Sequence, residues 1–98
     1  MSLTALMTAA EYGDADGVRK HIEQARQQYS GYTALMFAAT GGHEECTRIL
    51  AEYESGLRRD DGWTALMLAA YFGRVGCVQL LVTKELRLQD NEGETALI

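Results

Sequence analysis

Basic residues are scarce in this chain. Nine Lys and Arg stand against 14 Asp and Glu among 98 residues, for a formal net charge of −5. A protein that grips nucleic acid needs a basic stripe to neutralise phosphates, so this balance argues against that class of partner. Long apolar runs are missing as well. No stretch approaches the roughly 20 apolar residues of a membrane span, so no membrane helix is expected. No basic-then-apolar leader opens the chain, and secretion is not expected either. His and Cys occur twice each, whereas a metal site needs about four ligands. His43 and Cys46, three apart at helical spacing, could share a face, but no metal is expected there. The chain has no phosphate-cradling Gly-rich loop, no Gly-x-Ser-x-Gly, and no grouping of nucleophile, base and orienter. Its carboxylates are scattered over helix surfaces and turns, where charges are usually solvated. Neither catalysis nor a cofactor is expected. Proline is absent altogether.

What the chain has in abundance is self-similarity. Thr-Ala-Leu-Met occurs at 4–7, 33–36 and 64–67, and Thr-Ala-Leu-Ile closes the chain at 95–98. The spacings are 29, 31 and 31 residues. A fixed period of this size marks a stacked-repeat protein. The copies agree beyond the tetrapeptide. Each of the first three is followed by a paired Ala (Ala9-Ala10, Ala38-Ala39, Ala69-Ala70) and then by Gly13, Gly42 or Gly73. Cys46 and Cys77 share one register, and Gly31, Gly62 and Gly93 precede the later Thr residues.

Each recurring position has a physical reading. Thr is a good N-cap, because its hydroxyl accepts a bond from an orphan amide at a helix start. Leu6, Ala9, Ala10 and Gly13 fall at helical spacing, and the paired Ala residues allow close approach of neighbouring helices. The following Gly suits a left-handed position that stops the helix. A second helix is predicted at about 43–53 in the second unit and 74–83 in the third. In the first unit Val18, Ile22 and Ala25 form a weaker stripe behind Asp14, which can cap it. Segments 29–32, 60–63 and 91–94 carry turn chemistry around a Gly. Each unit thus reads helix, Gly turn, helix, protruding turn, and none could bury its apolar face alone.

These residues resemble the ankyrin repeat. The run Gly31-Tyr32-Thr33-Ala34-Leu35-Met36-Phe37-Ala38-Ala39-Thr40-Gly41-Gly42-His43 follows that family's Gly-x-Thr-Pro-Leu-His-x-Ala-Ala-x-x-Gly-His. The resemblance covers nearly the whole chain. It implies an all-α solenoid of helix-turn-helix units, at about 4–32, 33–63 and 64–94, with a truncated fourth at 95–98 and short hairpin-like turns. Ala replaces the family's Pro, and Met7, Met36 and Met67 replace its His, so an apolar thioether is expected in that space. The units are shorter than usual, which implies trimmed fingers. The Thr-Ala-Leu-Met variant, with residues 89–94 before the last copy, is similar to a large group of protozoan ankyrin proteins, some ankyrin-only and some bearing a kinase domain. In such a stack Cys46 and Cys77 lie too far apart for a disulfide. They are expected to be free, buried and in a reducing compartment, which suggests an intracellular, cytoplasmic protein.

The resemblance further implies a non-enzymatic scaffold that binds a protein partner on its concave face. Carried over position by position, that face comprises Tyr12, Tyr29, Tyr32, Asp60, Asp61, Trp63, Tyr71, Phe72, Glu92 and Glu94. Six of the eight aromatic residues fall in this set, and aromatics dominate interface hot spots. The bland alternative is that the rings fill space between fingers and helix ends. The interspersed acids suggest a partner with basic groups, with an Arg or Lys over Trp63; Arg58 and Arg59 could instead pair locally with Asp60 or Asp61. The missing terminal caps motivate two further expectations. One is that the chain is a regulatory or targeting segment of a larger enzyme such as a kinase. The other is self-association through Leu97 and Ile98 or through Leu3 and Leu6.

Overall fold

The computed structural model describes residues 2–91, and these are helical with short turns between. Three first helices, α1 (Ala5–Tyr12), α3 (Ala34–Gly41) and α5 (Ala65–Tyr71), begin in the same way. The hydroxyls of Thr4, Thr33 and Thr64 accept from the amides of Met7, Met36 and Met67 at 3.1, 3.2 and 3.2 Å. They also end in the same way. Gly13, Gly42 and Gly73 sit at φ 75°, 76° and 72°, a region that costs an L residue about 1–2 kcal/mol. The amides that follow, of Asp14, His43 and Arg74, return to the carbonyls of Ala9, Ala38 and Ala69 at 2.9, 3.0 and 2.8 Å. This closes the last turn and satisfies carbonyls that the helix leaves open.

The second helices are α2 (Ala15–Lys20), α4 (Glu44–Glu54) and α6 (Val75–Asn91). Asp14 caps α2, its Oδ1 accepting from the Gly17 amide at 3.0 Å. Of the weak stripe expected here only Val18 is fully buried, and a 3-10 turn at Ile22–Gln24 replaces a further helical turn. Helix α4 lies one residue along from the expected span. Helix α6 differs more, running to Asn91 rather than ending near Thr83. The cause is local. After α4 comes Ser55-Gly56, with Gly56 at φ 87°, whereas the same register after the first turns of α6 holds Leu86-Arg87, which continues a helix readily. The expected turn at 91–94 therefore does not start at Asn91. Glu92, Glu94, Leu97, Ile98 and the truncated fourth unit lie outside the described residues.

Two layers result. Helix α1 packs on α3 and α3 on α5, while α2 packs on α4 and α4 on α6 behind them. Ala10, Ala38, Ala39 and Ala69 are fully buried between the first helices, with Leu6 and Leu35 beside them. Full burial of such a Leu contributes about 1.5–3 kcal/mol. Met7 and Met36 are 2% and 0% exposed, as the thioether substitution implies, whereas Met67 in the same register is 44% exposed. Leu66 is likewise only partly buried where Leu35 is sealed. Leu6 is corrected as an end contact. It faces the core and cannot serve self-association.

Polar groups lock one unit to the next. Glu54 is buried, and its two oxygens accept from the amides of Leu35 at 2.7 Å and Arg26 at 2.8 Å. It thus ties the start of α3 to the connector from the first unit. The His43 ring reaches back so that Nε2 lies 3.1 Å from the Glu11 carbonyl, which requires the proton on Nε2. Arg74 does the same one unit later, Nε donating to the Thr40 carbonyl at 2.9 Å. On the outer surface Arg19 reaches Glu45 and Lys84 reaches Glu52, both at 2.7 Å. Exposed pairs of this kind contribute roughly 0–1 kcal/mol.

Candidate functional site

Two short fingers project from the helical layers. In the first, Tyr29 and Tyr32 exchange amide–carbonyl bonds of 2.8 and 2.9 Å across Ser30 and Gly31, both at positive φ. That is the two-residue turn whose twist suits a tight hairpin. In the second, the Arg59 amide donates to the Trp63 carbonyl and the Gly62 amide to the Arg59 carbonyl, each at 2.8 Å. Gln28 Nε2 donates to the carbonyls of Gly31 and Arg58 at 2.9 Å each, binding the fingers together.

The fingers and the end of α5 bring aromatic rings into one cluster. Trp63 meets Tyr71 edge to face at 5.7 Å, and Tyr71 meets Phe72 in the same manner at 5.0 Å. Tyr32 stacks on Phe37 at 5.4 Å. Such ring pairs contribute about 0.5–1.5 kcal/mol beyond area burial. Tyr32, Arg59, Trp63, Leu68, Tyr71 and Phe72 line a cleft of about 280 Å³. Trp63 and Tyr32 are partly buried against the core, while Tyr71 is 72% and Phe72 47% exposed. The cluster therefore has a fixed floor and an open rim.

Its cation is the chain's own. The Arg59 guanidinium carbon lies 5.0 Å from the Tyr32 ring centroid and 5.6 Å from that of Trp63. Arg59 Nη1 donates to the Tyr32 hydroxyl at 2.6 Å, and Nε donates to Asp61 Oδ1 at 3.1 Å. The second Asp61 oxygen accepts from Nη2, which makes the pair bidentate. The hydrogen bond from Arg59 holds the Asp61 carboxyl below its usual range, and Asp61 in turn raises Arg59. The local pairing weighed in the sequence is thus realised for Arg59 with Asp61. Arg58 instead donates to the Gly62 carbonyl at 3.0 Å. Asp60 is exposed and makes no ion pair among the described residues.

Not every candidate joins this cluster. Tyr12 is 76% exposed and lines a separate cleft with Asp14, Lys20 and His21 at the outer side of the first unit. Tyr29 serves the first finger through its backbone. His43 and Cys46 do not form a ligand pair. The ring is engaged by the Glu11 carbonyl, and the thiol is 1% exposed. Among the described residues no group of three or more His, Cys, Asp or Glu is placed to hold a metal ion. Both cysteines are free and buried, and burial raises both thiols. Residues that sequence reasoning passed over include Arg59 as a member of the aromatic cluster and Leu68 beneath it. The signal for Arg59 was its place four residues before Trp63 in a short turn.

Two layers of helix pairs in fixed register, with a hairpin finger at each junction, define a helical-repeat solenoid. The chain belongs to the ankyrin-repeat family: the family model described as ankyrin repeats (3 copies) matches residues 1–60 and 53–98. Ankyrin repeats are in general protein–protein interaction modules and generally non-catalytic. A comparison with curated proteins finds no match. Among the described residues no helix is long and apolar enough to cross a membrane.

Proposed function

We propose that this chain is a non-enzymatic scaffold that binds a protein partner through the face carrying its fingers and the ends of its first helices. One observation carries the reading. Trp63, Tyr71 and Phe72 form a continuous run of rings whose outer members stand largely in water, above a floor fixed by the stack. Large exposed rings in a preformed cleft are the usual anchors of an interface. Little ordering entropy is lost when the receiving surface is already rigid. Further candidates for this face are Tyr29 in the first finger and Asp60 and Asp61 in the second; Tyr12 lines a separate cleft, and Glu92 and Glu94 lie outside the described residues. Buried free thiols at Cys46 and Cys77 support an intracellular, cytoplasmic setting.

The test compares capture of partner proteins by the wild-type chain and by its Tyr71→Ala and Trp63→Ala variants. Each substitution is expected to weaken partner binding by about 1–2 kcal/mol. Tyr71→Ala should lower thermal stability only slightly, through its two edge-to-face contacts, and leave the fold intact, since the ring is mostly solvated. Capture that survives both substitutions undiminished would remove this face as the binding surface.

A further inference from the structure

The niche beside Trp63 has the make-up of a guanidinium receptor. Two ring faces, a phenolic oxygen and a carboxylate converge on one planar cation. Ring quadrupoles attract such a cation, and a carboxylate engages it bidentately. The occupant is Arg59, two residues from Asp61 in the same turn. The Arg59 side chain is 20% exposed, whereas its partner Asp61 is 53% exposed and open to an incoming cation. The 280 Å³ cleft opens directly from this niche toward Tyr71 and Phe72.

We propose that this niche docks an arginine side chain of a basic partner segment, and that Arg59 is a resident stand-in which the incoming guanidinium displaces. The inference rests on the protein-binding reading of the same face and names the chemistry of the partner. Asp61 balances one cation, so a second cannot be added without like-charge repulsion and the two must exchange one for one. Releasing Arg59 gives up its ring contacts and its bidentate pair, and an incoming guanidinium restores the same contacts in kind. A partner arginine brings adjoining contacts on the Tyr71–Phe72 rim that Arg59 does not make. Occupancy by Arg59 raises the partner's apparent Kd by the reciprocal of the fraction of time the niche is vacant.

Trp63 is the only tryptophan in the chain, so its emission reports from the wall of the niche. The experiment titrates the full chain with the peptide acetyl-Gly-Arg-Gly-amide and with the same peptide carrying citrulline, an uncharged isostere. Arg59→Ala is expected to bind the arginine peptide about tenfold more tightly than wild type, as vacating a mostly filled site predicts. The citrulline peptide should show no such gain, and adding Asp61→Asn to Arg59→Ala should abolish it. Equal binding by wild type and Arg59→Ala, or equal binding of the two peptides, would overturn the proposal. If circular dichroism shows Arg59→Ala to be unfolded, Arg59→Gln is read by the same titration and the same criteria. Should the arginine peptide gain nothing on either variant while Tyr71→Ala still diminishes partner capture, Arg59 is a clamp between fingers and the protein-binding reading stands without it.

Discussion

Gln24 and Glu54 hold the same place one unit apart. Gln24 Oε1 accepts from the Leu6 amide at 2.9 Å, and Glu54 Oε1 accepts from the Leu35 amide at 2.7 Å. Each satisfies an orphan donor in the first turn of its own unit's leading helix. They differ in charge and in a second bond. Only Glu54 also accepts from the Arg26 amide of the preceding connector. Burial pushes the Glu54 carboxyl above its usual range, against the opposing pull of the Arg26 and Leu35 amides.

A pH dependence follows from that direction. In the unfolded chain the carboxyl titrates near about 4.3. A raised folded value means that the folded state holds the proton more tightly. The contribution of this group is fully present below the unfolded value and is lost as pH rises through the folded one. Glu54→Gln, which copies Gln24, should remove this slope. Stability of the variant relative to wild type should therefore rise between pH 4 and pH 8, as read by urea unfolding. A difference that stays flat, or falls, would mean that the two amide bonds offset or outweigh burial at this carboxyl. Glu54→Ala should cost about 1–3 kcal/mol for each amide left without an acceptor.

Gly13 and Gly73 share a left-handed conformation but not their surroundings. A Cβ on Gly13 would come within 2.6 Å of the His43 ring, whereas one on Gly73 meets nothing within 4 Å. Gly73→Ala should cost only the conformational strain, about 1–2 kcal/mol. Gly13→Ala should cost more, because the ring must also move from the Glu11 carbonyl. Denaturant midpoints of the two variants check the order, and a reversed order would show that His43 gives way without loss.

Thiol reactivity is the third test. Cys46 and Cys77 are 1% and 0% exposed, and burial disfavours the thiolate in both. The thiolate is the reacting species. Neither should be modified by a thiol reagent at neutral pH in the folded chain, and both should react in denaturant. Rapid labelling of the native protein would show that α4 and α6 open readily.

What the sequence disclosed and what it hid divide along the range of the interactions. Thr4, Thr33 and Thr64 were readable as caps because their partners lie three residues away. Gly13 and Gly42 were readable as stops because the left-handed turn is a property of the residue itself. Glu54 was not readable. It sits in the polar run Glu52-Tyr53-Glu54, and its burial arises from Arg26 and Leu35, far off in the chain. Nor does it recur in register with Gln24, which lies 18 residues after Leu6 where Glu54 lies 19 after Leu35. The six rings singled out on the inner face are partly reunited by the fold: Tyr32, Trp63, Tyr71 and Phe72 share one cleft, while Tyr12 faces another. Their grouping depends on how one unit is rotated on the next, which no local pattern records. The cation expected over Trp63 is Arg59 of the same chain, because a shortened finger brings that side chain within reach.

His43 and Arg74 give the stack a direction. Each belongs to the later unit and holds the carbonyl end of the earlier one. Stripping away the last helix pair would take a ligand from Thr40 and loosen the end of α3. Losing the first pair and its connector would take the Arg26 amide from Glu54 but leave Leu35 and Thr40, at the two ends of α3, with their partners. Unravelling from the two extremities is therefore not equivalent, and a chain of such modules is built like a zip with one preferred end from which to come undone.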